Sequence, residues 1–226
     1  MHHVIRAFIV VVCLAGCGTQ AEDAKSFEHE KQRSAYRELL PRAEKGHADS
    51  QHRLGRLYAK TRKYSQAAEW YRKAAEQGHA EAQWRLAGLY AGGIGVGQSD
   101  REAAAWIRKS AEQGNQDAMV ALAHWHLTGK VVSVDYSEAI RLSREAAEGS
   151  DWLAQFVLGS AFYERNSSRE DQVLAVKWLH LLEKFGGSLD SDGRYEKLLQ
   201  AADADVVAEG KELAAEWIAD KARLQR

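Results

Sequence analysis

The pattern of small and bulky apolar positions repeats along most of the chain. An alanine returns every 36 residues from Ala67 to Ala175, and a bulky apolar residue follows it three positions later. That second series reads Trp70, Trp106, Leu142 and Trp178. Residues three and four positions apart share one face of an α-helix, so these series predict a set of equivalent amphipathic helices.

A second pattern lies upstream of each of these helices and predicts a partner for it. Four leucines, each followed at once by glycine or alanine, have an aromatic or imidazole ring four residues later; the leucines are Leu54, Leu86, Leu122 and Leu158, and the rings are Tyr58, Tyr90, His126 and Phe162. We therefore predict helix pairs, in which the small residues let the two backbones approach closely. The first helices are predicted at 48–60, 80–91, 116–128 and 152–164, and the second at 65–77, 101–113, 137–149 and 171–185.

Residues 80–114 carry the fullest copy of this unit, with a turn that contains Gly93, Gly95, Val96 and Asp100. The unit resembles the Sel1-like repeat, a relative of the tetratricopeptide repeat. The resemblance implies an all-α fold, a right-handed α-solenoid of stacked helix hairpins. It covers residues 35–186, as four repeats plus an N-terminal half repeat. Residues 187–226 are then expected to form a linker and a capping helix, with Leu213 and Trp217 buried.

The N-terminal residues have a different character and predict export. An apolar run at 7–16 is too short to span a bilayer and is typical of a secretory signal. Leu14, Ala15, Gly16 and Cys17 resemble the lipobox of bacterial lipoproteins, which implies that residues 1–16 are a signal peptide and that Cys17 is lipidated. Residues 17–34 are expected to be a flexible tether. The alternative is a plain signal peptide in which Cys17 is incidental.

Composition narrows the classes of partner. The formal net charge is −1, whereas a nucleic-acid-binding protein needs a clear basic excess. Cysteine occurs only at Cys13, inside the predicted signal, and at Cys17, so no disulfide is expected. Gly18 follows the lipobox cysteine where an inner-membrane lipoprotein of enterobacteria has aspartate. The expected partners are therefore a membrane, through the lipid anchor, and another protein at the outer membrane facing the periplasm.

Candidate chemistry is sparse. His124 and His126 are two residues apart, which directs them to opposite sides of a helix, whereas a zinc-binding helix uses a spacing of three or four. His47 and His79 recur at one repeat position and are interpreted as structural, so no metal site is predicted. No serine has lysine three residues later, as the penicillin-binding chemistry of some Sel1-like proteins would require. We expect no cofactor and no enzymatic activity.

The predicted binding surface is the concave face of the solenoid, because outward positions on the first helix of tetratricopeptide units contact ligand. By this resemblance the positions hold His52, Arg53, Arg56, Lys60, Trp84, Arg85, Val120, His124, Phe156, Ser160 and Tyr163. The set is basic at one end and aromatic at the other, which favours an extended ligand with an anionic end and an apolar stretch. The alternative is that the aromatic residues only pack and the arginines only solvate the surface.

These observations predict a non-catalytic lipoprotein scaffold that mediates protein–protein interactions in an envelope assembly. A cell-wall-active or penicillin-binding enzyme, or a surface binder of a host protein, are the alternatives. The fold alone does not select the partner.

Overall fold

The computed structural model describes residues 33–148, 151–185 and 193–224, and these residues contain helices and connecting turns but no strand. The helices are α1 (33–44), α2 (Ala48–Lys60), α3 (Tyr64–Glu76), α4 (Ala80–Gly92), α5 (Asp100–Glu112), α6 (Gln116–Thr128), α7 (Tyr136–Glu148), α8 (Trp152–Arg165), α9 (Arg169–Phe185), α10 (Arg194–Ala201) and α11 (Ala204–Leu224). The predicted signal peptide, Cys17 and most of the predicted tether lie outside the described residues. No described helix is both long enough and apolar enough to cross a membrane.

Helices α2 to α9 form four antiparallel hairpins that stack in chain order. Each hairpin pairs one first helix with one second helix (α2 with α3, α4 with α5, α6 with α7, α8 with α9), and each second helix also packs on the next first helix. All eight predicted helices are present within about two residues of their predicted ends, a deviation normal for helix boundaries. The predicted all-α solenoid is confirmed.

The small residues of the repeat lie where the paired helices meet. Ala67, Ala103, Ala139 and Ala175 are completely buried, and so are the leucines Leu54 and Leu86. At Gly55 an added Cβ would come within 2.6 Å of the Tyr71 ring, so α2 and α3 could not pack as closely around a larger residue. The tryptophans differ: Trp178 is buried, whereas Trp70 is half-buried beneath the ammonium group of Lys73, 4.2 Å from the ring centre.

Side-chain amides join successive repeats. Three buried glutamines near the start of a first helix each donate to a backbone carbonyl at the end of the preceding second helix; the bonds are Gln51 to Ala43, Gln83 to Ala75 and Gln155 to Ala147, at 3.0, 3.0 and 3.2 Å. Gln77 and Gln113 donate in turn to the side chains of Gln51 and Gln83. The Ala43 and Ala75 carbonyls also accept from the Gly46 and Gly78 N–H groups, so the glutamines add a second donor there, and they link hairpins one, two and four to the helix before them.

Helix α11 covers the last hairpin by packing on α9. Val206, Gly210 and Ala214 form its buried stripe, while Trp217 and Leu213 are half-buried rather than buried. Trp217 lies edge-to-face with Trp178 at 6.3 Å, and its indole N–H donates to Glu148 at 2.8 Å. The contact closes an apolar face that would otherwise be exposed at the end of the stack.

Candidate functional site

A groove of about 520 Å³ separates the first helices of repeats one and two. One wall comes from α2 and the other from α4, with a buried tyrosine of α3 between them and one isoleucine of the following turn at the edge. The lining residues are Arg56, Ala59 and Lys60 on α2, Tyr71 on α3, Trp84, Arg85, Gly88 and Leu89 on α4, and Ile94.

Helical spacing brings these residues to the groove. Arg56 and Lys60 are four residues apart on α2, and Trp84 and Gly88 are four apart on α4, so each pair shares a face. Gly88 has no atom within 4 Å of the position that a Cβ would take, so the absence of a side chain there widens the groove.

The groove is positively charged and partly apolar. Arg56, Lys60 and Arg85 contribute three cations, and the lining contains no acidic residue. Arg85 is already paired with Glu81 at 2.8 Å, whereas Arg56 and Lys60 form no ion pair with any residue that the structure describes. Half-buried Trp84 and exposed Ile94 supply the apolar surface. The arrangement suits a segment that presents a carboxylate next to an apolar side chain.

The structure brings together four of the residues that the sequence predicted for the concave face. Arg56, Lys60, Trp84 and Arg85 all line the groove. Arg53 is exposed, lies outside the lining and comes within 3.9 Å of Asp49 on the same helix. Of the four arginines and lysines predicted to bind a partner, Arg56, Lys60 and Arg85 therefore remain at the groove.

The prediction that His52 is exposed for partner binding is wrong, because its side chain is only 6% exposed. Its ring lies 4.5 Å from that of His79 and 5.9 Å from that of Tyr71, so it faces the next hairpin instead of solvent. Val120 and Ser160 were assigned to the same surface and are also buried. These three positions are packed inside the solenoid, whereas the prediction took them from tetratricopeptide units, in which the equivalent positions are exposed.

The remaining predicted residues, His124, Phe156 and Tyr163, do not line this groove. Phe156 and Tyr163 are partly buried and pack against the main hydrophobic core, as the packing alternative expects. His124 is half-buried, and burial lowers its pKa below the usual value. The structure therefore gathers three of the four predicted arginines and lysines with Trp84, but not the aromatic residues of repeat four.

Five of the nine lining residues were not predicted from the sequence, and Tyr71 and Ile94 show why. Tyr71 was not distinguished from other second-helix residues, although the glycine at 55 is the signal that a ring packs there. Ile94 lies in the turn, where sequence patterns do not separate an exposed isoleucine from a packed one; the structure leaves it 43% exposed.

A second groove of about 490 Å³ lies between α1, α2 and α3. Its lining includes Arg33, Arg37, Lys63 and the paired rings of Tyr36 and Tyr58, whose centres are 6.0 Å apart. Burial and the Tyr36 hydroxyl raise the pKa of Tyr58 to about 12.

Among the described residues, the most buried carboxylate lies in the first turn of α9 and supports the fold. Asp171 is 2% exposed and accepts hydrogen bonds from Arg165 and from both the backbone N–H and the hydroxyl of Ser167. The Arg165 guanidinium and these donors lower its pKa to about 2. Asp171 lines neither groove, so this perturbed pKa does not indicate catalysis.

Comparison with known proteins identifies the repeat. The family model of the Sel1 repeat matches residues 48–79, 80–115, 116–151 and 152–182, and each match corresponds to one hairpin of the structure, the last ending three residues before the end of α9. The chain belongs to the Sel1 repeat family. Sel1 repeats commonly mediate protein–protein interaction, and Sel1 repeat proteins are generally non-catalytic. A search of curated proteins finds no match.

Solved structures of other Sel1 proteins share this fold. A Sel1 repeat protein from Oxalobacter formigenes is 28% identical with a TM-score of 0.58, and the match covers 79% of this chain and 76% of that one. The protein c5321, a protective antigen of uropathogenic Escherichia coli strains, is 26% identical with a TM-score of 0.51. That match covers 80% of this chain and 47% of c5321, so this chain spans about half the length of c5321.

Proposed function

We propose that this Sel1 repeat protein is a non-catalytic adaptor that holds an extended segment of another protein in the groove between its first two repeats. The observation that carries the proposal is the convergence of Arg56, Lys60 and Arg85 with Trp84 and Ile94 around one open groove. A segment with an acidic residue next to an apolar one matches both the charge and the surface of this groove.

The balance of contacts within the groove supports a role in recognition. Arg56 and Lys60 have no ionic partner among the described residues, so binding an anion there breaks no existing pair. Removing an apolar ring such as Trp84 from water adds affinity, and an aromatic anchor next to cations is a common arrangement at the centre of interfaces.

The adaptor is proposed to act at the bacterial outer membrane, lipid-anchored through Cys17 and facing the periplasm. The support is the Leu14–Cys17 sequence and the apolar run that precedes it. Metabolic labelling with a palmitate analogue tests this: the wild-type protein should incorporate label and sediment with membranes, and Cys17→Ser should do neither. Equal labelling of both proteins would contradict the anchor.

The groove is tested by reversing its charge with a matched control. Arg56→Glu/Lys60→Glu is compared with Arg101→Glu/Arg108→Glu, which changes the net charge by the same amount at two exposed positions of α5. Proteins crosslinked to each variant in living cells are identified by mass spectrometry. The proposal expects the partner to be captured by the wild type and the α5 variant and lost from the groove variant; equal capture by both variants would refute it.

A second candidate is a surface-exposed binder of a host protein, which the similarity to the c5321 protective antigen favours. Protease treatment of intact cells separates the two candidates. Digestion of the solenoid without breaking the outer membrane would support surface exposure, whereas protection until the membrane is permeabilised supports the periplasmic adaptor.

A further inference from the structure

Position 52 differs in character from its equivalents in the other repeats. Aligned on the buried leucine two residues later, the equivalent positions hold Trp84, Val120 and Phe156, all apolar. His52 is nevertheless buried to more than nine-tenths, and its Nε2 atom has no hydrogen-bond partner among the described residues. A buried nitrogen without a partner destabilises a fold, so its presence here needs an explanation that packing does not give.

The ring that His52 faces, His79, differs from the residues at the same position of repeats three and four, although repeat one also has a histidine there, His47. His79 occupies the N-cap position of α4, and Asn115 and Asp151 hold the same position in α6 and α8. Asparagine and aspartate are preferred at N-caps, and histidine is not. Nδ1 of His79 accepts from the Ala82 N–H at 3.2 Å, which is longer than the 2.9 and 2.7 Å of the equivalent bonds to Asn115 and Asp151.

A carboxylate completes the cluster. Asp49 precedes His52 by three residues on α2 and so lies on the same face of the helix. One ligand atom from each of Asp49, His52 and His79 lies within 4.8 Å of the other two. Around tetrahedral zinc, with bonds of about 2.1 Å, ligand atoms are about 3.4 Å apart. The Asp49 side chain is 73% exposed, and its contact with Arg53 spans 3.9 Å, so it has room to move inward.

The protonation state of the buried ring also suits a metal. Burial, followed by the nearby charges of His79 and Arg56, lowers the pKa of His52 to about 4, against the opposing effect of Glu81 and Asp49. The ring is therefore neutral at pH 7, and the neutral imidazole is the form that coordinates metal ions.

From this geometry we propose that Asp49, His52 and His79 form a binding site for a divalent transition metal, with Zn²⁺ as the ion. Two imidazoles and one carboxylate are zinc ligands, whereas Ca²⁺ and Mg²⁺ prefer oxygen ligands alone. Three protein ligands leave the fourth position for water or for a group of another molecule.

The ion would join repeat one to repeat two. Asp49 and His52 lie in the first turns of α2 and His79 begins α4, the two helices whose later turns form the walls of the groove. Coordination by His79 disturbs the hydrogen bond that its Nδ1 accepts from Ala82, because that bond requires the proton on Nε2. Metal binding thus replaces one capping hydrogen bond with a bridge between adjacent hairpins, and it is independent of what the groove holds.

The sister repeats supply variants that remove a ligand and keep the fold. His79→Asn reproduces the Asn115 cap of α6, and His52→Phe reproduces Phe156 of repeat four. His47→Asn is the matched control, since His47 is at the N-cap of α2, makes no side-chain cap bond and lies outside the cluster. The full-length chain is stripped with EDTA and titrated with Zn²⁺, with Tm and calorimetric heat as readouts. The visible absorption of Co²⁺ then reports the coordination geometry.

The proposal expects Zn²⁺ to raise the Tm of the wild type and of His47→Asn and to leave the Tm of His79→Asn and His52→Phe unchanged. Circular dichroism should show all four proteins equally helical without metal. Histidines at positions 2, 3 and 29 are present in every variant and cancel from the comparison. A wild type with no Zn²⁺-dependent rise in Tm, or an equal rise in His79→Asn, would overturn the site.

Discussion

Replacing Gly210 by alanine should weaken the packing of the capping helix, α11, against α9 of the last repeat. Gly210 is buried where α11 crosses α9, and an added Cβ would lie 2.6 Å from the Val176 side chain and 2.8 Å from the carbonyl oxygen of Val173. Carbon atoms normally approach to about 3.5–4.0 Å. The shortfall is about 1 Å, and because one of the contacts is backbone it can be relieved only if α11 moves outward.

The expected magnitude follows from two opposing effects. Forcing an extra methyl group into a packed interface costs about 1–3 kcal/mol, whereas alanine is better than glycine in a helix by about 1 kcal/mol. We therefore expect Gly210→Ala to lower the free energy of unfolding by up to about 2 kcal/mol. For a chain of this size, the Tm falls by about 2–4 °C per kcal/mol.

Gly88→Ala is the matched control, since Gly88 is also helical but has nothing within 4 Å of the added Cβ. It should raise the free energy of unfolding by up to about 1 kcal/mol. Thermal and urea unfolding are followed by circular dichroism and, because Trp178 and Trp217 meet at the α9–α11 contact, by tryptophan fluorescence. If the two substitutions change the Tm in the same direction by the same amount, the close α9–α11 contact is refuted.

Three further predictions concern the last hairpin. Asp171→Asn should lower the free energy of unfolding by about 2 kcal/mol at pH 7, from the fall of the Asp171 pKa from 3.8 to about 2. Because the folded-state pKa is the lower one, this contribution is complete above about pH 4 and should disappear as the pH falls toward 2, which urea titrations of both proteins across that range would show. Leu158→Ala should cost about 2–5 kcal/mol, since the side chain is 1% exposed; a loss below about 1 kcal/mol in urea unfolding would place it outside the core. Arg169→Ala should leave the urea midpoint close to that of the wild type despite contacts of 2.8 and 2.6 Å with Asp205 and Glu209, because these ion pairs are exposed; a midpoint lowered as far as that of Asp171→Asn would contradict this.

The hairpins could be predicted from the sequence because their interior is repetitive. Ala67, Ala103 and their equivalents are fully buried since no larger side chain fits between paired helices, and this constraint leaves the same residue type at the same interval. The glycine that ends a second helix is a local signal of the same kind: Gly78 has a φ of +89°, which side chains with a Cβ disfavour.

Repeat four lacks the glycines of the earlier turns, and the sequence did not show what replaces them. Asn166 ends α8 with a φ of +38°, the left-handed conformation that Gly129 adopts at the end of α6. The buried carboxylate of Asp171 then holds the turn through Arg165 and Ser167. Such a network depends on three-dimensional positions of unlike residues, so no periodicity reveals it.

The candidate sites were only partly predictable for the same reason. Helical spacing placed Arg56, Lys60, Trp84 and Arg85 on one face, and the structure gathers them in the groove. His52 and His79 are far apart in sequence and come together because one hairpin stacks on the next, so a search for paired histidines within one helix missed them. The sequence does carry one sign of the metal site: position 52 holds a histidine where the equivalent positions of the other repeats are apolar.

The central claim is that the groove between repeats one and two holds an extended segment of another protein. A photo-crosslinking residue placed at Ile94, at the edge of the groove, tests it in living cells against the same residue at Arg108 on α5, followed by mass spectrometry of the crosslinked peptides. The account predicts that Ile94 crosslinks to a peptide carrying an acidic and an apolar side chain, that Arg108 does not, and that Arg56→Glu/Lys60→Glu abolishes the product. The same products from both positions, or an Ile94 product that survives the charge reversal, would contradict it.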